Sequence, residues 1–106
     1  MKYNIIAAED NEEKEEFKFA VTLPENVDII YGFEGCKFKE IEGATQLVTQ
    51  VTLLEKNENS ELVSIKSEDD RYETLMQNSN LILKQFIIDL TEKLKIEVDI
   101  LESEVA

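Results

Sequence analysis

Phe17-Lys18-Phe19-Ala20-Val21-Thr22-Leu23 is the stretch whose reading decides the fold. Phe17, Phe19, Val21 and Leu23 alternate with Lys18, Ala20 and Thr22, the two-residue period of a strand with one buried face. Pro24-Glu25-Asn26 ends it, because Pro fixes φ and Asn tolerates turn geometry. Alternation resumes in Val27, Ile29, Tyr31 and Phe33, which predicts a second strand, antiparallel to the first across a short connection.

Gly32 and Gly35 bracket an irregular step before the apolar positions of Cys36–Ile41, and Glu42-Gly43 marks a break. Thr45–Leu54 is rich in β-formers, with Leu47, Val51 and Leu53 on one side and Val48 and Leu54 on the other. The polar loop Asn57-Glu58-Asn59-Ser60 joins it to Leu62–Lys66, so Thr45–Ser67 reads as a β-hairpin. Toward the N-terminus, Lys2–Ala7 predicts a short first strand with Tyr3, Ile5 and Ala7 on one face. Between the two, Glu9–Glu16 holds six carboxylates and no apolar residue, the pattern of a solvated loop or a mobile edge excursion.

The period changes after Ser67. Ser67 is a candidate helix cap with Asp70 three residues on, and Glu68, Asp69 and Asp70 suit the positive end of the helix dipole. Tyr72, Leu75, Met76, Leu83, Phe86, Ile87, Leu90 and Leu94 then fall on one stripe at helical spacing. Ser79 lies in that stripe and permits a close approach to the sheet. Asn78-Ser79-Asn80 is a poor helix-forming triplet and a point where the helix could kink or split. Leu94–Ile100 alternates as a strand would, yet also continues the stripe through Val98 and Leu101. The expected fold is therefore α+β. One domain over residues 1–106 has an antiparallel sheet of about four to six strands, with one long C-terminal amphipathic helix packed on one face. The expected core takes Phe17, Phe19, Val21, Leu23, Ile29 and Tyr31 from the first strands. Leu47, Val51, Leu53, Val63 and Ile65 come from the hairpin, and Leu75, Met76, Leu83, Phe86, Ile87 and Leu90 from the helix.

Charge sets the functional reading. The 106 residues carry 24 Asp and Glu against 11 Lys and Arg, no His, and a net charge of −13. Without imidazole, the commonest general base and the commonest metal ligand are missing. The acidic runs lack the alternating oxygen ligands and central Gly of a calcium loop, and Gly32-Phe33-Glu34-Gly35 lacks the Gly-Lys-Ser/Thr of a phosphate loop. Cys36 is alone, so it forms no internal disulfide and reads as a small buried hydrophobe. No long apolar run or leader-like segment is present. These features predict a non-enzymatic protein without cofactor or metal, in the cytoplasm, binding neither membrane nor nucleic acid directly.

A charge this large exceeds the magnitude of about 2–8 that keeps a small domain soluble. Its field favours a basic partner, and carboxylates on a loop and a helix end imitate the phosphates of a duplex. The expected role is inhibition of a nucleic-acid-handling protein through its basic surface. Glu9, Asp10, Glu12, Glu13, Glu15 and Glu16 form one candidate patch, and Glu68, Asp69 and Asp70 a second. An alternative role, oligomeric and structural or chaperone-like, rests on Leu81 and Ile88. These lie almost opposite the main stripe as candidates for contact with a second chain, and Ile82, Ile96 and Ile100 lie on its flank.

In size, acidity and mixed strand–helix pattern, the chain resembles small phage-encoded inhibitors of host defence nucleases and the immunity proteins that neutralise toxins. The resemblance is one of general character, attached to no particular residue. It implies an anti-defence or immunity-like, target-blocking role.

Overall fold

The computed structural model describes the backbone of residues 1–105 and the side chains of residues 1–93. Five strands form one antiparallel sheet in the order of the chain: β1 (Asn4–Asn11), β2 (Glu16–Leu23), β3 (Asn26–Ile41), β4 (Ala44–Lys56) and β5 (Leu62–Ser64). One helix, α1 (Tyr72–Val105), follows and packs on one face. The α+β architecture expected from the two periods is the one found. Among the described residues, no helix is long and apolar enough to cross a membrane.

The turn signals act where the sequence places them. Leu23 pairs with Asn26, so Pro24-Glu25 makes a tight β2–β3 connection. Ile41 pairs with Ala44 around Glu42 and Gly43, whose φ values of 52° and 81° are the two positive angles that a right-twisted two-residue hairpin requires. The irregular step at Gly35-Cys36 is a bulge inside a continuous β3, not a break between strands. Register slips there between Glu34 and Lys37, and Gly35 takes φ 59°.

The core lies between the sheet and α1. Phe19, Val21, Leu23, Ile29, Tyr31, Phe33, Cys36, Leu53 and Ile65 are buried from the sheet side, and Leu75 and Ile82 from the helix. The Phe19 ring stacks on Phe33 at 4.8 Å and on Phe86 at 4.4 Å, so an aromatic column ties β3, β2 and α1 together. Stacked pairs add roughly 0.5–1.5 kcal/mol each beyond the area they bury. Successive contacts along α1 step across the sheet in reverse chain order. Arg71, just before the helix, holds Glu55 of β4, Asn78 donates to the Tyr31 hydroxyl of β3, and Phe86 meets β2. Tyr3, ahead of β1, donates to Asp89 at 2.9 Å. Burial together with that carboxylate pushes the Tyr3 phenol up to about 12.

Four expectations change. The acidic run is not all loop: β1 runs to Asn11 and β2 starts at Glu16, because an edge strand needs only backbone pairing and tolerates two wet faces. Ser67 does not cap α1, which starts at Tyr72. Asp69 leads into the helix instead, its side chain accepting from the Arg71 amide at 2.8 Å and its carbonyl from the Tyr72 amide at 3.0 Å. The buried stripe is rotated, with Leu75, Ser79 and Ile82 inside and Ile87 exposed, so Ile82 belongs to the core and not to a free flank. Val63 is exposed, since β5 is a short edge strand. The helix runs through Asn78-Ser79-Asn80 without a break; the Ser79 hydroxyl donates back to the Met76 carbonyl at 2.6 Å, which satisfies it inside the core. Helix also takes in Leu94–Leu101, and the side chains of Ile96 and Ile100 lie outside the described residues.

Candidate functional site

The first acidic cluster sits on the β1–β2 hairpin. The turn Glu12–Glu15 closes with the Glu15 amide donating to the Glu12 carbonyl at 3.4 Å, and the Asn11 side chain accepts from the Lys14 amide at 3.3 Å. Register decides what each carboxylate meets. Glu9 is opposite Lys18 and pairs with it at 3.5 Å, while Glu16 reaches Lys37 of β3 at 3.6 Å. Asp10, Glu12, Glu13 and Glu15 have no ion-pair partner among the described residues. The hairpin tip is thus a compact, exposed anionic knob.

Beside the knob the sheet is incompletely covered. Every residue of β1 is exposed, and a trough of about 210 Å³ lies between β1 and α1. Ile5, Ala8, Phe17, Phe19 and Phe86 line it, with Asp10 also on its wall. Asp10 is opposite Phe17, which puts it on the helix-bearing face. An apolar cavity rimmed by Asp10 and by the Glu9–Lys18 pair suits an aliphatic or aromatic side chain flanked by a cation. On the other face, Glu34 joins Glu9 and Lys18 around a hollow of about 140 Å³. Sequence reading missed Glu34, because only the β2–β3 register brings it to Lys18.

The second cluster is used differently. The Arg71 guanidinium binds both Glu55 oxygens at 2.8 and 3.0 Å and also reaches Asp69 at 2.9 Å. These bonds hold the Asp69 carboxyl down at about 2 and lower that of Glu55. Asp69 is therefore committed to joining the helix start to β4, and only Glu68 and Asp70 of its run lack such a bond. By register the two clusters occupy diagonally opposite corners of the sheet, so they form two separate patches. The clamp makes a testable statement about acid. Its stabilisation is complete above the ordinary carboxyl values of 3.8 and 4.5, and is lost as pH falls toward about 2. Thermal melts of Arg71→Ala should show a shallower acid limb than the parent and a small change at neutral pH, as expected for a surface network. An identical acid limb would show that the clamp contributes nothing.

Leu81 and Ile88 are half-exposed on the outer surface of α1, with Ile87 beside them. Cys36 is fully buried; its thiol contacts the Thr49 hydroxyl at 3.1 Å, and burial raises its pKa. Among the described residues, no group of three or more Cys, Asp and Glu side chains is placed to hold a metal ion. Compared with known protein families, curated proteins and solved structures, the chain matches none.

Proposed function

We propose that this protein is a non-enzymatic, cytoplasmic inhibitor that docks on the basic surface of a nucleic-acid-handling partner, in the manner of anti-defence or immunity proteins. The observation that carries the reading is the hairpin tip, where Asp10, Glu12, Glu13 and Glu15 lack ion-pair partners among the described residues beside an apolar trough. The carboxylates attract and orient Lys and Arg that otherwise hold phosphates, and the trough receives an apolar anchor from the same partner. Charge supplies speed and most of the salt-sensitive attraction, and the trough adds a smaller apolar contact that fixes the docked position. Immobilised protein should capture a basic nucleic-acid enzyme from nuclease-treated host lysate and release it in moderate salt. Its activity should fall when the protein is added back. Capture limited to salt-resistant apolar clients would overturn this reading.

A second reading, oligomeric and structural or chaperone-like, is favoured by the exposed Leu81 and Ile88 on the outer face of α1. Under it, Ile88→Glu converts an oligomer into a folded monomer, read by sedimentation together with an unchanged melting curve. A species of unchanged mass removes Ile88 from any interface.

A further inference from the structure

We propose that the outer edge of β4, over Ala44–Thr52, is the interface through which two copies of this chain pair as antiparallel strands. β5 covers β4 only at Leu54–Lys56, and one further bond runs from the Ile65 amide to the Leu53 carbonyl at 2.9 Å. Leu53 thus turns its backbone groups to the outer edge. Alternation along the strand sends those of Thr45, Leu47, Thr49 and Val51 the same way. β3 occupies the inner edge along this length. Among the described residues, no strand or other backbone group meets the outer edge of Ala44–Thr52. Unpaired amides and carbonyls in such a row recruit an extended strand.

The sequence of the edge selects the occupant. Ala44-Thr45-Gln46-Leu47-Val48-Thr49-Gln50-Val51-Thr52 has no charge, Pro or Gly, in a chain where 33% of residues are charged. Edges are ordinarily blunted by charge, Pro or a bulge. The opposite edge, β1, has two of these protections: a register slip between Ile5 and Ala7, and the carboxylates of Glu9 and Asp10. A second acidic copy therefore meets no carboxylate on the strand it joins at β4, and is repelled at β1. A two-fold axis at Leu47 sets Thr45 opposite Thr49 of the copy and keeps the Glu42-Gly43 turn short of β5. Leu47 and Val51, which pack against the core, then stay on the helix-bearing face in both copies. β1 becomes both outer edges of the joined sheet, so addition stops at two. This interface is independent of the acidic-hairpin reading and distinct from the Leu81–Ile88 surface.

Sedimentation of the full chain at rising concentration should show a species of twice the monomer mass. Hydrogen exchange on the same samples should show the amides of Thr45, Leu47, Thr49 and Val51 protected at high concentration and exposed on dilution. The amides of Gln46, Val48 and Gln50, bonded to β3, should stay protected throughout. Leu47→Pro removes an edge-facing amide without touching β3 and should leave a folded monomer. The wild-type exchange pattern decides the matter if that variant fails to fold. A chain that stays monomeric overturns the proposal, as does a dimer lost in Ile88→Glu and retained in Leu47→Pro. Edge amides that become protected only when a different extended peptide is added also overturn it.

Discussion

Ile82→Ala should lower the stability of this protein by about 3 kcal/mol, the usual cost of emptying a fully buried aliphatic site. For a domain of this size that is a fall in Tm on the order of 10–20 °C. Ile82 has no exposed surface and lies about one turn from Ser79 and about two turns from Leu75 on the face against the sheet. Its loss leaves a hole that the continuous helix above and the paired strands below cannot close. Ile87 and Ile88 retain 37% and 50% of their surface in water, so truncating either to Ala should cost much less. Positions 82 and 87 are about 140° apart around the helix axis, which makes the comparison a measurement of helix rotation. Denaturant titration of the three variants settles it: a larger loss at Ile87 than at Ile82 would mean that α1 packs through a different stripe.

The second large effect concerns association. Asp10→Asn combined with Glu12→Gln, Glu13→Gln and Glu15→Gln removes four exposed negative charges from one hairpin tip. None of these side chains has an ion-pair partner among the described residues, so the melting curve should move little. Binding to the captured basic partner should slow by about tenfold or more at low ionic strength, the scale of electrostatic steering. The two proteins should converge as salt rises and screens the field. Dissociation should change less, because the trough lined by Phe17 and Phe86 is intact. Stopped-flow association across a salt series reads both quantities. Equal rates and equal salt slopes in parent and variant would remove the hairpin from the binding surface.

What the sequence discloses depends on how many physical signals agree at a given place. In Phe17–Leu23 the alternation, the aromatic content and the Pro24 stop coincide, and β2 lies where they put it. Glu42-Gly43 likewise supplies the left-handed angles its turn needs. Helix phase was harder to read, because Leu81-Ile82-Leu83 and Phe86-Ile87-Ile88 are apolar in three consecutive positions and fit several stripes. The choice among them falls to the Phe86–Phe19 stack and to Ser79, whose small side chain closes the gap. β1 was under-read for the opposite reason: its second half, Glu9-Asp10-Asn11, is held by backbone pairing that leaves no hydrophobic pattern. The acidic candidates were visible as composition. Their sorting into Glu9 and Glu16 paired with lysines, Asp69 locked by Arg71, and a bare tip depends on cross-strand register, which composition does not encode.

The reverse-order path of α1 bears on synthesis. The five strands leave the ribosome before the helix and each pairs with the one just made, so sheet contacts are local and form ahead of the helix. The element that shields Phe19, Tyr31 and Phe33 is made after the whole sheet, and its later turns must travel back to Tyr3, ahead of β1. Until then the nascent chain displays an aromatic slab to its surroundings. The dense carboxylates of the β1–β2 hairpin, made before the rest of the sheet, accompany that slab throughout, a built-in deterrent to clumping on the polysome.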